Sequence, residues 1–127
     1  MKNLSHFTSY KTELTGVTVK QAQEAIEELA KQIGATVITS MSSVFWDRQN
    51  IVAGLKTNDV PNGIGVRVEE GRLVICGDNW NQELGFAKMQ KLITGYATVH
   101  KVKMNAKMYK LPTTVKIRDR EILLEVG

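Results

Sequence analysis

The chain has 127 residues, 43% of them apolar and 24% charged, with two prolines and a formal net charge of +4. That balance describes one compact domain spanning residues 1–127, large enough to bury one core but not to divide it between two. The lone Cys76 excludes an intramolecular disulfide, a CxxC redox pair and a Cys-rich zinc site, and it predicts a reducing compartment.

Phe7 to Leu14 is rich in β-prone residues and is closed by Gly16, which predicts a first strand. The period then changes. Thr18 and Gln21 have the spacing of a capping box, and Ala22, Ala25, Ile26, Leu29, Ala30 and Ile33 recur every three or four residues up to Gly34, predicting a helix. Ala35 to Val44 reads as a strand, Phe45 to Asn50 as a turn, and Ile51 to Thr57 as the next strand. After a Pro61-Asn62-Gly63 turn, Gly65–Val68 and Leu73–Cys76 flank Glu69-Glu70-Gly71-Arg72 as a β-hairpin, with Gly71 supplying the positive φ of a short loop.

From about Gln82 the positions Phe86, Met89, Leu92, Ile93, Tyr96, Val99 and His100 return to helical period, predicting a helix to Met104 or as far as Met108. Thr114–Ile117 and Glu121–Val126 close the chain as a second hairpin. The order β-α-β-β-β-β-α-β-β predicts an α+β fold: an antiparallel sheet carrying two helices on one face, ferredoxin-like or a split βαβ unit with extra strands.

Charge is uneven along this order. Residues 1–80 carry 8 Lys and Arg against 9 Asp and Glu, whereas residues 81–120 carry 9 against 2. Such a bias favours an acidic partner, while a solvated lysine-rich helix face is the simpler explanation. Lys103, Lys107 and Lys110 fall at i, i+4 and i+7, with Lys88 and Lys91 behind them and Lys116, Arg118 and Arg120 beyond. This stripe is the feature that would serve nucleic acid, although Tyr109 is the sole aromatic after residue 100 and stacking platforms need several. Phe45 and Trp46 form an aromatic pair on a loop that could anchor a partner, against the alternative of core aromatics at strand ends.

Chemistry-bearing motifs are sparse. His6 and His100, with Asp78, would make a metal trio or a His-Asp general base if they converged. No HExxH, HxH or i,i+4 histidine pair is present, so hydrogen-bonded core histidines are the default and neither metal nor cofactor is expected. Cys76 lies in an apolar strand and reads as a core thiol; Gly63-x-Gly65 lacks the third glycine of a dinucleotide fingerprint, and no P-loop is present. The opening residues lack the apolar run of a secretory signal, and no run of about 18 apolar residues exists, so no membrane association is expected and the cytoplasm is the expected location.

Ser5-His6-Phe7-Thr8 with Lys11-Thr12, Asn62-Gly63-Ile64-Gly65 with Arg67, Leu73-Val74 with Asp78 and Trp80, and Tyr96-Ala97 with His100 resemble a family of small conserved proteins of algal plastids and cyanobacteria. Relatives of that family, a domain of unknown function, also occur in other bacteria and in phages. The family commonly ends in an acidic stretch and a Val-Arg-Arg-Trp-like tail, where this chain has a basic Lys110–Arg120 and ends Glu125-Val126-Gly127. The resemblance implies no activity; it draws attention to His6, Asp78, Trp80, Tyr96 and His100, adds the plastid stroma as a location, and allows a phage-type inhibitor of a host or defence component.

Taken together, the leading expectation is a non-enzymatic module binding a protein partner through its basic C-terminal half, at Phe45, Trp46, Lys103, Lys107 and Lys110. Its alternatives are a nucleic-acid-binding accessory protein and a small metal-dependent enzyme at His6, Asp78 and His100. An unpaired sheet edge would permit a homo-oligomer.

Overall fold

A computed structural model describes residues 7–43, 46–79, 81–108, 113–118 and 121–126. The elements run β1 (Phe7–Lys11), α1 (Val19–Ile33), β2 (Thr36–Ser43), β3 (Trp46–Lys56), β4 (Ile64–Glu69), β5 (Arg72–Asp78), α2 (Glu83–Met108), β6 (Thr113–Arg118) and β7 (Glu121–Val126). This is the α+β order the periodicities predict.

Helix α1 starts where its capping chemistry dictates. The Thr18 hydroxyl accepts from the Gln21 amide at 3.1 Å, and the Gln21 side chain accepts from the Thr18 amide at 3.0 Å, so two otherwise unpaired donors are satisfied reciprocally. It ends at Gly34, whose left-handed φ of 70° turns the chain into β2. Its buried stripe is Ala22, Ala25, Ile26, Leu29 and Ala30.

Five strands form one antiparallel sheet in the order β1-β5-β4-β3-β2. Four successive reversals leave β1 and β2 parallel at opposite edges, so β1-α1-β2 is a βαβ unit split by three intervening strands. That arrangement carries out the split-βαβ expectation; a ferredoxin-like strand order is not what the register shows. The β4–β5 hairpin closes through Glu70 and Gly71, with φ of 52° and 77°, the double positive φ that a two-residue turn of right-twisted strands requires.

Two expectations need correction. The segment expected as a turn, Phe45–Asn50, instead begins β3 at Trp46, which pairs with Ser43. Polar residues there join the ladder because β2 offers a backbone partner, and register shifts absorb the mismatch: β3 takes four residues from Gly54 to Asn50 where β2 takes two. The closing hairpin does not extend the main sheet either. Among the described residues β6 and β7 pair only with each other, and they lie against α2.

Residues of one pleat parity, Ala53, Leu55, Ile64, Val66, Leu73 and Ile75, are buried with Ile26 and Leu29 of α1 and with Phe86, Met89, Ile93 and Tyr96 of α2. The N-terminus of α2 is clamped onto this core by polar contacts. Buried Gln82 donates to the Asp78 carbonyl at 2.6 Å and the Gly63 carbonyl at 3.3 Å, and accepts from the Asn62 amide at 2.9 Å. Gly85 sits so close to the β3–β4 loop that a Cβ there would overlap the Asp59 carbonyl oxygen.

Candidate functional site

Helix α2 carries five lysines against one glutamate, and the structure distributes those lysines among different surroundings. Lys101 donates to the Thr15 carbonyl at 2.6 Å, tying α2 to the loop before α1. Lys103 lies 3.6 Å from the Glu28 carboxylate. Lys88 and Lys91, near the other end, are exposed and have no acidic partner among the described residues. Lys107 is also exposed and unpaired among them.

Glu28 is the hub between the helices. One of its oxygens is 3.2 Å from His100 Nδ1, accepts from the Tyr96 hydroxyl at 3.4 Å and faces Lys103. A carboxylate can only accept, so Nδ1 of His100 is the donor in this contact. His100 is 2% exposed, and Nε2 has no partner among the described residues. Burial, followed by the neighbouring Glu28 charge and its hydrogen bond, pushes the Tyr96 phenol up to about 12, so it remains a neutral donor. The arrangement orients an imidazole as a carboxylate-histidine couple would, yet it closes the ring off from solvent and so fastens α1 to α2.

Asp78 lies by the N-terminal end of α2. Its carbonyl holds Gln82, and the helix from Gln82 to His100 rises through roughly 25 Å. Asp78 and His100 therefore do not come together as a His-Asp couple, because most of the length of α2 separates them. His6, Trp80, Phe45 and Lys110 lie outside the described residues; Trp46 is the first residue of β3. Among the described residues no group of three metal-binding side chains gathers, and no helix is long and apolar enough to cross a membrane. Cys76 is fully buried, and burial pushes its thiol up to about 11, which suits a core residue rather than a nucleophile.

The opening of interest lies on the other side of α2. A cleft of about 420 Å³ runs between the helix and β7, with Lys88 and Lys91 at one end and Gly95, Thr98, Val99 and Ile122 at the other. A narrower recess of about 190 Å³, sharing Lys88 and Leu92, continues it past Ile117 toward Asp59 and Ile33. Ile117 and Ile122 are directly paired across the β6–β7 ladder, and the first lines the recess while the second lines the cleft.

Sequence reasoning reached Lys103, Tyr96 and His100 but not Glu28, and it placed Lys88 and Lys91 behind the main stripe. The available signal for Glu28 was its position between Ala25 and Leu29, at the border of the α1 apolar stripe, where a carboxylate meets the neighbouring element. No family model, curated protein or solved structure matches the chain.

Proposed function

We propose that the protein is a non-enzymatic interaction module that binds an acidic protein partner through α2 and the β6–β7 hairpin. The observation that carries this reading is the surplus of lysine on α2: among the described residues Lys88, Lys91 and Lys107 have no acidic partner, and the first two line an apolar cleft. Uncompensated cations beside apolar surface attract acidic segments and then hold them by burial. The same side chains argue less for nucleic acid. All three are lysines rather than arginines, and among the described residues no aromatic lines the cleft to stack a base.

The reading is tested by immobilising the protein and a Lys88→Glu/Lys91→Glu/Lys107→Glu variant and challenging both with cell lysate at low and high salt, with and without nuclease. The expected result is a defined acidic protein retained by the parent, indifferent to nuclease and lost with the variant. Retention that disappears on nuclease treatment and falls steeply with salt assigns the surface to nucleic acid instead.

A further inference from the structure

The cleft between α2 and β7 is polarised. Lys88 and Lys91 stand one helical turn apart at one end with Leu92 beside them, and the other end is floored by Gly95 and walled by Val99 and Ile122. Gly95 contributes to this shape: a Cβ there would come within 3.3 Å of Ile122 Cδ1, so a larger residue would press on the hairpin and fill the floor. From Lys88 to Val99 the helix rises about 16 Å, the span of about five residues of extended chain. Charge at one end, aliphatic surface at the other and a length of a few residues together describe a linear peptide epitope.

We infer that this cleft takes an extended segment of a partner protein in which two acidic residues adjoin an apolar pair. The carboxylates sit on Lys88 and Lys91, and the apolar side chains enter the space over Gly95 beside Val99 and Ile122. This inference rests on the proposed binding of an acidic partner and adds where the partner is held and what it must present. Charge complementarity decides which end of the cleft takes the acidic residues, because the opposite placement would lay carboxylates on aliphatic surface and leave both lysines without a counter-charge.

The test uses the full chain and a fluorescent peptide with two glutamates and, one glycine away, leucine and valine, made in both chain orders and titrated by anisotropy, the tighter-binding order serving as the parent. Two control peptides carry glutamines for the glutamates, or serines for the apolar pair. Saturable binding of the parent peptide is expected, weakened about tenfold by either control and by Lys88→Glu/Lys91→Glu, as loss of two partly exposed charge contacts implies. Thr98→Tyr, which places a ring over the apolar end from an exposed position, should weaken it similarly, with circular dichroism establishing that each variant is folded. Equal binding of the serine control, or binding unaffected by Lys88→Glu/Lys91→Glu, overturns the inference. So does a folded protein that ignores the peptide but captures its acidic partner through Lys107, an outcome that leaves the broader reading standing. An oligonucleotide that binds through Lys88 and Lys91 where the peptide does not overturns both.

Discussion

Glu28 satisfies three groups from α2 with one carboxylate, and this concentration makes it sensitive to substitution. Removing it strands the buried His100 Nδ1 and the Tyr96 hydroxyl, so Glu28→Ala should cost about 2 kcal/mol in urea unfolding, whereas Glu28→Gln, which keeps an acceptor, should cost clearly less. The Lys103 contact adds little, since both side chains are about a third exposed and water screens the pair. Cys76 offers a pH-dependent check. Its folded pKa, about 11, lies above the ordinary 9.0, so the unfolded chain loses the thiol proton first. Stability from this group is full below pH 9.0 and is lost as pH rises toward about 11. A thermal-melt series should therefore show a decline across that window that is shallower in Cys76→Ala. The burial of Cys76 was legible from its apolar neighbours in the strand; the convergence on Glu28 was not, because it joins residues 28 and 100 across two helices whose crossing no local pattern encodes.

At the scale of elements, α1 was readable from its ends inward. A capping pair, one apolar stripe and a terminal glycine state the same boundaries three ways, and Thr18→Ala should cost about 1 kcal/mol of that agreement, measured by thermal melting. Helix α2 was readable in period but not in the use of its faces. It packs on α1 and the sheet through Phe86, Met89, Ile93 and Tyr96, and on the hairpin through the side that bears Leu92 and Val99. Apolar residues on two sides blur the single stripe that marks a one-sided helix. Gly85 illustrates a constraint set wholly by a neighbour: Gly85→Ala favours the helix by propensity yet should destabilise the protein by roughly 3 kcal/mol, because the methyl group meets the Asp59 backbone rather than a yielding side chain. Equilibrium denaturation of that variant beside Ala87→Gly, at an exposed position on the same helix, separates the two effects.

For the whole molecule, the five-stranded sheet with its two helices and the separate β6–β7 hairpin should respond differently to damage. Among the described residues the hairpin has no ladder to the main sheet, so it depends on aliphatic contact with α2, and a lone hairpin is marginal in water. Ile122→Asp should accelerate amide hydrogen exchange in β6 and β7 strongly while leaving β4, β5 and α1 protected, as read by mass spectrometry. What the sequence by itself determined were the local quantities: element order, the α1 boundaries, the β4–β5 turn, the α+β class and the concentration of lysine in the C-terminal third. These follow from periodicity, capping and turn chemistry, which act between residues a few positions apart. Only the tertiary structure decided the strand order that splits β1-α1-β2, the detachment of the last hairpin from the sheet, the engagement of Lys103 by Glu28 and the separation of Asp78 from His100. Each of those depends on which surfaces are buried against one another, and burial is a property of the assembled chain that no short window of it contains.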